Sequence, residues 1–270
     1  MSKTMLPDLP HGPGFHLISE VVTIEPGTNT VYCRLNLESL RQLSLADHFP
    51  DKRRMPAVLQ IETLPGLASI FPETKKLYPR IVGLREVRFP GRISPSTVNA
   101  SCVIFSLEDT NAASFTIEVN ERIVSEGVME FVLNQTKIAQ PPPGFQLVHR
   151  QLGADNNQTI HAEYDYTGEE ILDLTELAYL PETLALEAMA QAAIQIRQGN
   201  PAFANKLFWF TGIESAEFSE PIPRQGQLDL LATVEIEESG GKSHCQALYA
   251  GKMLAKTTIA FAITRGRSTA

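Results

Sequence analysis

The stretch RIVGLREVRFPGRISP, residues 80–95, returns as WFTGIESAEFSEPIPR at residues 209–224. That return decides the fold, because self-similarity at a long spacing marks a chain built from repeated units. Two further blocks come back in the same order. GFHLISEVVTIEPGTNTVYCRL from Gly14 is matched by GFQLVHRQLGADNNQTIHAEY from Gly144, and MPAVLQIETLPGLASIF from Met55 by LPETLALEAMAQAAIQI from Leu180. The offsets drift by a few residues, as they do when loops change after a duplication. PPPG at 141–144 falls between the copies and reads as a linker. Two domains are expected, residues 1–140 and 141–270, and a chain of 270 residues that is 43% apolar can bury two cores of that size.

Each copy has the same grammar. β-Branched runs (VVTIEPGTNTVYCRL; TIHAEYDY) come first, one helical segment follows, and alternating strands close the unit. Gly240 and Gly241 read as the turn of the last hairpin. One helix followed by antiparallel strands excludes a doubly wound sheet, in which helices and strands alternate. The expected class is α+β, each half a curved antiparallel sheet wrapped around one helix. The second helix, Pro181 to Gln198, opens with Pro and Glu182 and continues through Ala, Leu, Met and Gln, all good helix formers. Leu184, Glu187 and Gln191 project from one of its faces. The first, Pro56 to Phe71, carries Pro65 two turns in. Its ring crowds the carbonyl of Ile61 and it has no N–H to donate, so the helix must bend or end just past Glu62.

Composition removes other classes. A formal charge of −8, with no basic tract longer than three residues, speaks against general nucleic-acid binding. No apolar run reaches the roughly 18 residues of a membrane span, and the opening MSKTMLPDLP lacks the apolar core of a secretory signal, so a cytoplasmic location is expected. Cys33, Cys102 and Cys245 are an odd set without close spacing and read as free thiols; no cluster completes a metal site around His11 and His16. GGKS at Gly240 lacks the earlier glycine of a phosphate loop, and no GxSxG elbow is present.

The candidate chemistry lies in ADHFPDKRRMPAVLQIE, which places His48 in a Pro-bounded loop fourteen residues before Glu62. In the second copy Asp173 stands roughly where His48 would fall. LPHGPGFHLISEVVTIEPG, DHFPDKRRMPAVLQIET and IVGLREVRFPGRISP together resemble the bacterial 3-hydroxyacyl-(acyl carrier protein) dehydratases of the hot-dog fold. LPETLALEAMAQAA and FTGIESAEFSEPIP extend the resemblance to the second copy, so the chain is similar to two fused subunits, a double hot-dog. The resemblance implies a homodimer-like arrangement, in which the histidine of one unit meets the helix carboxylate of the other. One site then joins His48 to Glu187, with Gln191 supporting Glu187; the other joins Glu62 to Asp173, with no histidine and Gly66 in place of the glutamine. The losses are complementary, which implies one working site and one degenerate site.

The residue types suit that chemistry. Histidine titrates near neutrality and can take a proton α to a thioester. A carboxylic acid in an apolar pocket can protonate the departing hydroxyl. The resemblance assigns the thioester oxygen to a backbone N–H just after Met-Pro, here that of Ala57 where the family usually has glycine; Asp51 also departs from the family's glycine. It implies no cofactor, the substrate being carried on phosphopantetheine, and acyl carrier protein or coenzyme A as carrier. Lys52, Arg53, Arg54, Arg85, Arg88 and Arg92 are cations that could steer an acidic carrier, whereas GIESAEFSEP of the second copy is acidic. Other readings are a dehydratase–isomerase, a hot-dog thioesterase, or a non-catalytic acyl-carrier-binding scaffold. The resemblance leaves open acyl chain length and whether fused pairs assemble into a homo-oligomer.

Overall fold

Period-two burial runs through most of the chain: in Gln227–Ile236 every second residue from Leu228 to Val234 is buried, and Ala112–Val119 alternates in the same way. Such alternation belongs to strands with one face on a core. The computed structural model describes residues 18–25, 27–35, 55, 57–62, 64–68, 78–93, 101–108, 111–134, 150–155, 159–166, 179–197, 201–203 and 206–265. The strands are β1 (Ile18–Glu25), β2 (Thr30–Leu35), β3 (Tyr78–Arg88), β4 (Ser101–Leu107), β5 (Ala112–Val119), β6 (Arg122–Asn134), β7 (Arg150–Asp155), β8 (Thr159–Asp165), β9 (Tyr179–Leu180), β10 (Lys206–Phe218), β11 (Ile222–Pro223), β12 (Gln227–Ile236), β13 (Gly240–Tyr249) and β14 (Lys252–Arg265). The helices are α1 (Ala57–Glu62), α2 (Leu64–Ala68) and α3 (Glu182–Ile194), the last followed by a 3-10 turn at Gln195–Arg197.

Twelve strands form one antiparallel sheet in the order β1-β2-β4-β5-β6-β3-β10-β14-β13-β12-β8-β7. Read from either edge, the order is first, second, fourth, fifth, sixth and third strand of a six-stranded unit, so the two units meet along β3 and β10. Their register is self-complementary. In the repeat alignment Gly83 matches Gly212, Leu84 matches Ile213, Val87 matches Ala216 and Arg88 matches Glu217. At the seam Gly83 faces Glu217 while Gly212 faces Arg88, and Leu84 faces Ala216 while Ile213 faces Val87. That is the pattern of an isologous two-fold interface. Gly212 is required there, because a Cβ on it would come within 2.5 Å of the Val87 carbonyl oxygen.

Smaller features repeat as well. Both seam strands carry a bulge at matched positions, between Ile81 and Gly83 and between Phe210 and Gly212. The β5–β6 and β13–β14 hairpins each turn through two residues with positive φ, Asn120–Glu121 and Ala250–Gly251, as twisted two-residue hairpins require. Ahead of α1 the Met55 N–H donates to the Ile93 carbonyl at 3.1 Å, and the matched contact before α3 pairs Leu180 with Ile222.

α3 is buried on nearly its whole circumference and touches β8, β10, β12, β13 and β14. A helix apolar all round belongs inside a core. It begins one residue later than expected, with Pro181 as its cap residue, and tightens to a 3-10 turn after Ile194. In the first unit α1 ends at Glu62 and α2 resumes at Leu64, the break that Pro65 demands. α1 packs on α3, so the helices of the two units touch.

One expectation is corrected. Gly240 and Gly241 do not form the β12–β13 turn; they open β13, Gly241 facing Ile236, and the chain reverses through 237–239. Glycine is needed because any Cβ at 241 would collide with the Glu235 carbonyl and the Phe261 ring. The expected division at residues 140 and 141 lies outside the described residues. Among the described residues no helix is long and apolar enough to cross a membrane.

Candidate active site

Glu62 and Glu187 occupy matched positions on the central helices, and both are buried, at 8% and 5% exposure. Their surroundings differ. One turn beyond Glu187, Gln191 donates from Nε2 to Oε1 of Glu187 at 2.9 Å, an i, i+4 contact that needs an unbroken helix. One turn beyond Glu62 the matched residue is Gly66, which has no side chain to offer. Glu62 is held instead from the other unit: the Thr183 hydroxyl, in the first turn of α3, donates to its Oε2. The helix carboxylate of the first unit thus meets the helix start of the second.

Around Glu62 the space is filled with charge. Arg80 of β3 donates from Nη1 to Oε1 of Glu182, the first residue of α3, at 3.2 Å, and both side chains are almost fully buried. A cleft here is lined by Glu62, Glu182, Pro65, Pro79, Ile81 and Tyr179. Burial penalises the ionised forms and lifts Glu62 to about 7, the Thr183 hydroxyl opposing. Burial likewise lifts Glu182 to about 8, against the attraction of Arg80, and a charged Glu62 raises it further. Arg80 pairs with Glu182, Thr183 holds Glu62, and burial biases both carboxyls toward their protonated forms.

At the matched positions beside Glu187 the character inverts. Glu182 corresponds to Ala57, Pro79 to Phe208 and Ile81 to Phe210. Glu182, Pro79 and Ile81 are buried, whereas Ala57, Phe208 and Phe210 are only half-buried although all three pack against the core.

Sequence reasoning missed Arg80, Glu182 and Thr183 as a unit. Arg80 precedes Arg85, Arg88 and Arg92 on the same segment, but it is buried in an ion pair and adds nothing to a surface patch. The available signal was the repeat itself, which sets Glu182 against Ala57 and Thr183 against Val58. Arg85, Arg88 and Arg92 are exposed on and after β3. Arg85 is bonded to Glu130 at 2.7 Å, and the Arg92 guanidinium lies 4.0 Å from the centre of the Trp209 ring. Their acidic counterparts are already paired, Glu214 with Lys242 at 2.7 Å and Glu217 with Lys256 at 2.8 Å. His48, Asp51, Asp173, Lys52, Arg53 and Arg54 lie outside the described residues.

Cys33 and Cys245 are buried and Cys102 half-buried, all three free thiols. Burial raises each of them, Cys245 to about 12, so they stay protonated and poorly nucleophilic. Among the described residues no group of His, Cys, Asp and Glu is placed to hold a metal ion.

No family model matches the chain. Among curated proteins, the 3-hydroxyacyl-[acyl-carrier-protein] dehydratase FabZ of Deinococcus radiodurans is 30% identical over 126 residues, 45% of this chain and 86% of that protein. FabZ of Clostridium tetani is 29% identical over 137 residues, 48% of this chain and 95% of that protein. Among solved structures, the dehydratase domain from the CurJ module of curacin polyketide synthase has a TM-score of 0.66 at 15% identity, covering 93% of this chain and 98% of that one. The dehydratase domain of the polyketide synthase PpsC from Mycobacterium tuberculosis has a TM-score of 0.64 at 12% identity, covering 93% and 99%. The likeness to these structures establishes the fold, a double hot-dog of class α+β.

Proposed function

Since the chain belongs to the 3-hydroxyacyl-[acyl-carrier-protein] dehydratase family, we propose that it dehydrates 3-hydroxyacyl thioesters to trans-2-enoyl thioesters at one site, built on Glu187. The chain is read as two fused units, residues 1–140 and 141–270. The D. radiodurans relative spans under half of it, as one such unit would.

In this reading His48 removes the proton α to the thioester carbonyl, and that electron pair becomes the new Cα–Cβ double bond. The Cβ–O bond breaks, and Glu187 protonates the departing hydroxyl, which leaves as water. Gln191 orients the Glu187 carboxyl through the 2.9 Å hydrogen bond. The backbone N–H of Ala57, at the start of α1, receives the negative charge that gathers on the thioester oxygen. No cofactor is needed for these steps.

The observation that supports a single site is the contrast between the two carboxyls: Glu187 keeps its glutamine, whereas Glu62 is walled in by Thr183, Glu182 and Arg80. The carrier is proposed to be acyl carrier protein in the cytoplasm, steered by Arg88 and Arg92 and by Lys52, Arg53 and Arg54 of the histidine loop; Arg85 contributes less, being paired with Glu130.

The test is hydration of a trans-2-enoyl pantetheine thioester, the reverse reaction. The wild-type chain turns it over, and His48→Ala lowers the rate by about 10²–10⁴-fold, the usual worth of a positioned acid–base group. A folded His48→Ala variant with an unchanged rate removes the reading.

A further inference from the structure

The two-fold register at the seam allows the cleft beside Glu62 to be carried onto the other unit. Its wall residues Pro79, Ile81, Pro65 and Glu182 map to Phe208, Phe210, Ala190 and Ala57 around Glu187. We infer that Phe208 and Phe210 form the wall of the acyl cavity at Glu187 and restrict it to short acyl chains. This rests on the dehydratase reading of that site and goes beyond it by naming the acyl class.

Three observations carry it. Both rings stand on the face of β10 that packs on the core, yet both are half-buried, whereas Pro79 and Ile81 at the same positions of β3 are buried. The two phenylalanines thus keep accessible surface that Pro79 and Ile81 do not. Second, Glu182, which lines the equivalent cleft, is replaced by Ala57, also half-buried, so the matched positions beside Glu187 carry alanine and aromatic carbon instead of a carboxyl. Third, the rings are braced. Phe208 sits between Phe203 and Phe261, with centroids 5.6 and 5.3 Å away, and Phe210 lies 5.2 Å from Phe89. Displacing Phe208 breaks packing on both of its sides, and displacing Phe210 breaks its contact with Phe89, so neither ring swings aside readily for a longer chain. Phenylalanine where the other unit has proline and isoleucine also brings the wall further in. The remaining side chains of this strand face the other way: Trp209 bonds Thr264 and carries Arg92, and Leu207 is 40% exposed.

The experiment compares but-2-enoyl, oct-2-enoyl and dodec-2-enoyl pantetheine as substrates, and measures the binding of the corresponding saturated acyl pantetheines. Wild type prefers the four-carbon chain in both. Phe208→Ala raises the ratio of kcat/KM for the long over the short substrate by at least ~10-fold, the scale on which methylene groups are discriminated in apolar pockets. Phe208→Leu, which keeps more of the packing on Phe203 and Phe261, shifts the ratio in the same direction by less. A wild-type preference for the twelve-carbon chain, or a ratio unmoved by both variants, overturns the inference while leaving the dehydratase reading intact. A chain that hydrates none of the three yet binds the short acyl pantetheine more tightly, with that preference relaxed in Phe208→Leu, overturns the dehydratase reading and keeps the wall. Absence of both turnover and binding overturns both.

Discussion

Glu62 and Glu187 stand at matched positions of the same fold, each on a central helix and each buried, Glu62 as the last residue of α1 and Glu187 in the middle of α3. What differs is three neighbours. Beside Glu62 stand a threonine donor and a second carboxyl from the other unit, the carboxyl paired with Arg80 of Glu62's own unit. Beside Glu187 is its own glutamine, with alanine and phenylalanine at the matched wall positions. The comparison teaches how a duplicated fold can specialise. The same backbone is made twice, and charge placed in one copy ties that cleft across the two units, while the other copy carries small and apolar residues at the matched positions.

If that contrast is right, the joint is expendable for chemistry and expensive for stability. Arg80→Ala strands the buried Glu182 carboxyl, and breaking one partner of a buried pair costs about 3 kcal/mol or more. Urea denaturation should show that loss, and folded Arg80→Ala should keep wild-type specific activity. Arg80→Leu combined with Glu182→Ala should recover most of the stability, since apolar replacement of a whole buried pair is often neutral. A stable Arg80→Ala variant would mean that the pair does not hold the units together.

A smaller effect concerns protons. Glu62 is lifted from its ordinary 4.5 to about 7 and Glu182 to about 8. Because the folded chain holds protons that the unfolded chain has already released, their contribution to stability is complete below about pH 4.5. It is lost as pH rises through 7 and 8. The urea midpoint of wild type should fall between pH 5 and pH 8, and Glu62→Gln should flatten that fall. An equal slope in the variant would show that the Glu62 carboxyl is not the group being titrated.

The smallest expected effect compares hairpins. Ala250–Gly251 places glycine in a left-handed position, whereas the matched Asn120–Glu121 places glutamate there, at φ 60°. Glu121→Gly should relieve about 1 kcal/mol, read as a rise in Tm. No rise would mean that the first hairpin tolerates its backbone as well as the second.

What could be read in advance follows from how local each cause is. Pro65 acts on its own helix by removing one N–H and crowding one carbonyl, so the break after Glu62 was legible. So was the sheet around a helix, because repeated blocks and alternating strands are sequence patterns. The Arg80–Glu182 pair was not legible: its partners lie 102 residues apart and meet only because β3 and α3 are brought together by the seam. Gly240 and Gly241 were misplaced for a related reason. Paired glycines suggest a turn, but here their cause is the crowding of Glu235 and Phe261 on neighbouring strands, visible only once the sheet is assembled. The contact of Gln191 with Glu187 one turn earlier was readable from helical spacing, while the charged filling of the cleft at Glu62 was hidden in positions that differ between copies.

The account stands or falls on which carboxyl does chemistry, and the direct measurement is hydration of but-2-enoyl pantetheine by Glu187→Gln and Glu62→Gln prepared side by side. The prediction is a loss of about 10²–10⁴-fold for Glu187→Gln and a rate within about twofold of wild type for Glu62→Gln. Equal losses in both, or a loss confined to Glu62→Gln, would contradict it.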